Sequence, residues 1–415
     1  MIVKSVQEKR VRLFSLAVAL TSVAVVFACG AIPIPLLIRY REFFHLTSGD
    51  VAAATAAYFA GCVIALVFLS RLSDVYGRRP ITVGAILLSV VALFCLNHSH
   101  GIFVFALSRL LQGTAAGLVS SATLAWLADL LMPKHPLAAS AAATGTPSLG
   151  FCLGAAAVGT MTDSAQSVTL LIESFGIALV ILVPLTSGCL ETARHARIPV
   201  KSMLTPRIGL PKQLRQYLLP ILSAYGISWS FSALLQGFSS AYCETLFSGD
   251  NTLAASLLFI AFIVPNTLGV LIPGKPGADH LRRAIVFFTV SLGGFVISNL
   301  LGQILFFYFF TLVTGTACGV VCAASMRLLL SMSQAKERAR IVSFCFFAGY
   351  TGAVCAGFTT GFFARTFSVE TVTVGYYCAI AAVSFIGLQA LRRNRAATDF
   401  LTQCDPMTTA MMEKK

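Results

Sequence analysis

In Gly61-Cys-Val-Ile-Ala-Leu-Val-Phe-Leu-Ser70-Arg-Leu-Ser-Asp74-Val-Tyr-Gly77-Arg78-Arg79-Pro80-Ile-Thr-Val-Gly84-Ala-Ile-Leu-Leu88, two apolar runs meet at one short polar turn. Each run belongs to a block of about 20 apolar residues, the length a helix needs at ~1.5 Å per residue to cross a ~30 Å hydrocarbon layer. The turn is too short to be a domain linker. Its glycine lets the chain reverse, Asp74 can sit at a helix N-terminus, and Arg78 and Arg79 can reach carboxylates or phosphates. Plain positive charge at a membrane face, with a glycine turn, is the simpler alternative.

The same pattern recurs along the chain. Apolar blocks predict spans at about 13–38, 50–69, 80–98, 102–127, 137–160, 167–190, 217–240, 253–273, 284–301, 303–329, 341–364 and 371–391. Of the 415 residues 57% are hydrophobic and 11% charged, and the mean hydropathy is +0.84. A soluble chain carries roughly a quarter charged residues, so this one could not cover a water-exposed surface. The first block is too long for a signal-peptide core and is read as a spanning helix. Most of the 12 cysteines fall inside apolar blocks, where cysteine acts as a small hydrophobe, so neither a disulfide nor a metal site is expected.

The net charge of +14 does not make a nucleic-acid surface, because the basic residues sit in short stretches between apolar blocks. With the N-terminus inside, only Arg39, Arg41 and Arg365 of the 30 basic residues fall in loops on the outer side, and Arg109 lies within a block. That asymmetry orients the chain and predicts both termini in the cytoplasm. The one long polar interruption, 191–216, contains Pro199, Pro206 and Pro211. It divides the chain into an N-terminal bundle at 1–190, a linker at 191–216, a C-terminal bundle at 217–395 and a polar tail at 396–415, expected to be disordered. Shifting the chain by 202 residues lays Leu110–Thr123 on Leu312–Ser325 with half of the positions identical, and Gly150 on Gly352. Two related halves are expected.

Several stretches resemble one family. The string Ser70–Pro80 resembles the loop between helices 2 and 3 of the major facilitator superfamily, with Ser70 where that family usually has glycine. Leu107-Ser-Arg109-Leu-Leu-Gln112-Gly113-Thr-Ala-Ala-Gly117 resembles its helix 4 motif. Gly145-Thr-Pro147-Ser-Leu-Gly150-Phe-Cys-Leu-Gly154 resembles, in part, the helix 5 motif of its exporters; Thr146 and Phe151 depart from the pattern. The resemblance covers about residues 12–395 and is nearest to twelve-helix, Bcr/CflA-like bacterial drug–proton antiporters. It implies an all-α membrane protein of 12 transmembrane helices in two pseudo-symmetric six-helix bundles. It further implies a gating set Asp74, Gly77, Arg78, Arg79 and Asp129, with Asp129 pairing to one of the two arginines; an exposed acid at a helix end is the bland alternative.

For proton coupling the resemblance points to Arg109 with Gln112. An arginine inside a span is costly and marks a function by default, although snorkelling to the surface is an alternative. Glu173 is the clearest acid inside a span and would be the titrating carboxyl if buried; otherwise it reaches outer headgroups. The acid that many drug antiporters carry in helix 1 is missing from Ala28-Cys-Gly-Ala-Ile-Pro33-Ile-Pro35. Tyr225, Trp229, Ser232 and Gln236 recur on one helical face and read as a cavity wall, joined by Asn266 and Tyr350. Such a wall suits an amphipathic or mildly cationic solute. The resemblance implies a secondary transporter, in reading order a proton-coupled exporter of a drug, metabolite or siderophore, then an importer of a sugar, organic acid or other metabolite. A membrane-embedded enzyme or sensor is the remote alternative, since the six histidines lie scattered in loops. No cofactor is expected. The partners are a small solute, protons and lipid, with no nucleic acid, in a monomer of a bacterial inner membrane.

Overall fold

The computed structural model describes residues 2–131, 136–161, 165–192, 209–247, 251–334 and 337–403, without the side chains of 2–6, 136–141, 143, 144, 165, 338, 339 and 395–403. Twelve long helices are present among these residues: α1 (Ile2–Ala31), α2 (Ser48–Leu69), α3 (Arg78–Asn97), α4 (Ile102–Leu131), α5 (Pro136–Gly159), α6 (Ala165–Ser187), α7 (Leu218–Phe247), α8 (Thr252–Leu271), α9 (Ala278–Leu300), α10 (Ile304–Ser331), α11 (Arg338–Phe363) and α12 (Val369–Gln403). Eleven are apolar and long enough to cross a membrane among the described residues; α5, with part of its side chains undescribed, spans 24 residues. Segments Ala65–Leu69 of α2 and Val119–Thr123 of α4 are π-helical, a wider turn that redirects a helix face locally.

The helices pair in a repeated pattern. In the first half α1 packs on α5, α2 on α4, α3 on α4 and α3 on α6. In the second half α7 packs on α11, α8 on α10, α9 on α10 and α9 on α12, each pair six helices on. Even the cross-half contacts, α2 on α11 and α5 on α8, exchange under that step. Glycines make the repeat concrete. A β-carbon at Gly113 would collide with the Tyr58 carbonyl of α2, and one at Gly315, its 202-shifted counterpart, would press on the Phe262 carbonyl of α8. Gly150 lies on Ala24 of α1, and Gly352 on Gly226 of α7, here 202 residues apart on both sides. In lipid, where burial of apolar surface does not drive helices together, close small-residue packing of this kind does.

Three expectations are corrected. The first span does not run to Ile38: α1 ends at Ala31, a turn follows, and a short helix Leu37–Phe43 begins after it. Pro33 and Pro35 lack the N–H that would continue the ladder. α12 continues to Gln403, past Arg395, where the tail was drawn. Residues 193–208 of the linker and 404–415 of the tail lie outside the described residues. The third correction, Glu173, concerns the site.

Candidate functional site

Chemistry collects at three depths along the axis. At the basic end, which carries Arg12, Arg78 and Arg392, Gly77 adopts φ +105°, a left-handed conformation only glycine takes without strain, and ends the short helix Leu72–Tyr76. α3 begins at the next residue. Arg78 Nη1 donates to Ser73 Oγ at 2.6 Å and Asp74 Oδ1 at 2.9 Å, and its Nε lies 3.5 Å from Asp129 Oδ2. Arg78 thus joins Asp74 and Asp129, two of the other residues expected beside it from the sequence. Arg79 turns instead to the end of α6, donating to the carbonyls of Thr186 at 2.9 Å and of Ser187. The sequence missed Glu191. Its carboxylate accepts the backbone N–H groups of Arg78 (2.9 Å) and Arg79 (3.0 Å), the free donors at the N-terminus of α3. The available signal was an acid at the first residue of the linker, opposite a helix start with no cap of its own.

At mid-depth, Arg109 is completely buried. Its Nη1 donates to Gly30 O at 2.7 Å and Gln112 Oε1 at 2.6 Å, while Gln112 Nε2 donates to Cys29 O at 3.1 Å. The guanidinium carbon stands 4.9 Å from the Tyr58 ring centroid, a cation–π distance. The two carbonyls are available because of the prolines. Cys29 O would be bonded by the N–H four residues on, but that residue is Pro33. Gly30 O would be bonded by Ile34, whose N–H goes instead to Ala31 O at 3.0 Å. Carbonyls released at the broken C-terminal end of α1 thus serve Arg109 and Gln112, and the negative end of the helix dipole adds to their effect. From the other half, Gln236 Oε1 lies 3.4 Å from Arg109 Nη2.

Glu173 does not join this network. It is exposed on α6, because α6 turns Leu171, Ile172, Leu179 and Leu182 toward the bundle and so leaves Glu173 on the opposite face. The stripe on α7 is divided among neighbours. Trp229 stands edge-on to Tyr350, ring centroids 4.5 Å apart, and to Phe346 at 5.7 Å. Tyr225 turns away and donates to Cys322 O of α10 at 3.3 Å. Gln236 Nε2 reaches back to Ser232 Oγ at 3.4 Å. Asn266 has its carbonyl against Gly319 of α10, and no bond or ring contact among the described residues joins it to the stripe. Of the helix 5 motif, Gly150 and Gly154 lie against the α1 backbone, whereas Gly145 faces open space and needs no small residue for packing. Pro147 lies within α5.

At the far end the two halves are bound to each other. Arg41 grips Glu244 of α7 with two bonds, Nη1 to Oε2 at 2.8 Å and Nη2 to Oε1 at 2.7 Å. Glu244, through that bond, holds the Arg41 pKa above its ordinary value. Arg365, just after α11, pairs with Asp50 of α2 at 2.8 Å. Ser240 Oγ of α7 donates to Ile34 O at 3.1 Å. Gly49 of α2 abuts Gly361 of α11, and Gly237 of α7 abuts Ala52. Nearer the basic end, Thr267 Oγ1 donates to Ser148 Oγ at 2.5 Å. Two of the three arginines that the sequence left outside thus join the halves; the signal lay in their scarcity there.

These features were compared with known proteins. Residues 15–274 match the family model of the Major Facilitator Superfamily. Multidrug resistance protein 2 of Bacillus subtilis (strain 168) is 24% identical over 280 residues, 66% of this chain and 68% of that protein. Multidrug resistance protein MdtL of Klebsiella pneumoniae (strain 342) is 35% identical over 94 residues, 22% of this chain, and the match spans 24% of that relative's length. Among solved structures, the nucleoside transporter NupG superposes with a TM-score of 0.72 over 91% of this chain and 99% of that one, at 11% identity.

Proposed function

The chain belongs to the major facilitator superfamily, and from that premise we propose that it is a proton-coupled exporter of a small amphipathic molecule that works by alternating access. The observation that carries the reading is the seam at the far end. Two mirrored halves meet there through ion pairs and glycine contacts, a junction that can be made and broken as a unit. Residues 1–190 and 217–403 are the proposed moving units, joined by 191–216. Both termini are assigned to the cytoplasm of a bacterial inner membrane and the chain is taken as a monomer. The far end then faces outward, and the structure corresponds to the state closed to the outside.

Export is favoured by the relatives named for multidrug resistance and by the partial resemblance of Gly145–Gly154 to the helix 5 motif of exporters. When the halves rock, Arg78 with Asp74 and Asp129 closes the inner side. Glu173 is exposed and does not reach the Arg109 network. The pairs Arg41–Glu244 and Arg365–Asp50 hold the outer seam shut, so loss of either favours opening there. Arg109, in the same reading, senses the change through Gln236. The test is substrate-induced collapse of an imposed pH gradient in everted and right-side-out vesicles, with a panel of amphipathic compounds. Collapse in everted vesicles with outward substrate movement supports export. Uptake driven with the proton instead makes the chain an importer, and no proton movement with any transported compound removes the coupling.

A further inference from the structure

Arg109 is the one charged side chain that is buried among the described residues, and it forms none of their ion pairs. A guanidinium carries five N–H donors in a planar fork. Its Nη1 is engaged by Gly30 O and Gln112 Oε1. The opposite edge, Nε with Nη2, is the one that a carboxylate or phosphate grips through two parallel bonds. At that edge Nε has no hydrogen-bond partner, and Nη2 meets only Gln236 Oε1 at the long distance of 3.4 Å. A buried cation balanced by neutral dipoles alone is held at a cost that a counter-charge would remove. A cationic solute brought beside it would be repelled.

We infer that the Nε–Nη2 edge of Arg109 is the binding point for an acidic group, carboxylate or phosphate, on the transported solute. The inference rests on the transporter reading only in taking a transported solute as what reaches Arg109. The surroundings describe the remainder of that solute. Tyr58 lies under the guanidinium, Tyr350 is buried in the same cluster, and Trp229 with Phe346 continues the aromatic wall. The chemistry of these side chains suits an oxyanion carried on a flat apolar body, which revises the mildly cationic solute expected from the stripe alone. Gln236 belongs to the other half and withdraws when the halves part, so its weak contact is a placeholder that the acidic group displaces.

The test uses purified full-length protein in detergent and isothermal titration with three probes sharing one ring system: 2-naphthoate, 2-naphthyl phosphate and 2-naphthylmethylammonium. At least one anion should bind about tenfold or more tightly than the cation, as expected of a bidentate charge-assisted pair; the stronger of the two identifies the acid. Arg109→Gln should abolish that preference and Arg109→Lys retain part of it. Should Arg109→Gln fail to fold, Gln236→Glu decides the matter. It places the protein's own carboxylate at the same edge, and should raise the melting temperature while weakening the anion about tenfold. Anions that bind no better than the cation, or Gln236→Glu that leaves anion binding unchanged, overturn the proposal. Because these readouts need no transport, a chain that binds anions selectively yet moves no solute would refute the transporter reading and leave the site standing.

Discussion

Neutralising the Arg41–Glu244 pair should shift the protein toward a state open at the far end, by an amount that can be worked out from its geometry. Two parallel bonds of 2.8 and 2.7 Å between charged partners put it among the stronger ion pairs. The side chains remain 23% and 35% exposed, so water screens them. Exposed pairs are worth roughly 0.2–1 kcal/mol, and the bidentate geometry places this one near the top, at about 1 kcal/mol. Since every 1.4 kcal/mol is tenfold, Arg41→Ala and Glu244→Gln should each raise the open-to-closed ratio about fivefold. The Arg365–Asp50 pair has a 52% exposed arginine and should be worth at most ~0.5 kcal/mol, about twofold. It is best tested through Arg365→Ala, because Asp50 also closes a capping box with Thr47 at the start of α2, and losing it would fray that helix. Fluorophore-bearing amino acids at the exposed Phe43 and Phe367 would report the separation by single-molecule energy transfer in nanodiscs, without disturbing the native cysteines. The Arg41→Ala/Glu244→Gln double variant should resemble either single, and Arg41→Glu with Glu244→Arg should recover most of the closed population. If the two single effects add, or if the swap opens the protein further, the pair is not a latch.

Three other outcomes follow from the packing and the basic end. Gly113→Ala drives a methyl into the Tyr58 carbonyl and should lower the melting temperature in detergent markedly, by overpacking of about 1–3 kcal/mol, whereas Gly84→Ala, with open space around it, should be neutral or stabilising by up to ~1 kcal/mol; equal effects would mean that α2 and α4 are not in the described contact. Pro33→Ala returns an N–H to Cys29 O and takes that carbonyl from Gln112, so transport should fall several-fold with little loss of stability (about 1 kcal/mol or less), and unchanged transport would separate the α1 break from the Arg109 site. Glu191→Gln weakens the anion at the start of α3 and should cost about 0.5–1 kcal/mol by thermal unfolding, while Asp74→Asn should leave membrane insertion intact and cut efflux; full efflux at equal protein level would remove Asp74 from the gate.

Some of this was legible before any coordinates. Spans and the two-half repeat follow from hydropathy and the 202-residue shift, because a bilayer imposes one length and one hydrogen-bonding rule on every crossing segment. The Asp74–Arg78–Asp129 cluster was readable because its members lie in one loop and at the end of a neighbouring helix. What stayed hidden depends on helix rotation and on partners far apart in sequence. Glu173 sits inside a span, but composition does not say which side of α6 faces outward. Arg41 with Glu244, and Asp50 with Arg365, join loops and helix ends of opposite halves that no local spacing relates.

The repeat also explains where the chemistry lies. Under the 202-residue shift Arg109 falls on Thr311, which is buried and satisfied within its own helix by Phe307 O at 2.8 Å. Pro33 falls on Leu235, so α7 runs unbroken to Phe247 where α1 stops at Ala31. Each departure would be unstable without the other. A lone Arg109 against an intact α1 would find no free carbonyl, and a broken α1 without Arg109 and Gln112 would leave Cys29 O and Gly30 O unbonded in an apolar interior. The straight α7 then supplies Gln236, one residue after the position of Pro33, to meet the guanidinium from across the seam. The pseudo-symmetric scaffold gives two related halves, and this paired departure from symmetry puts one positive charge on one of them, facing Gln236 of the other. Under the proposed rocking of the halves the surroundings of that charge would change, which is the minimum a carrier needs to tie the binding of a charged species to the direction in which it opens.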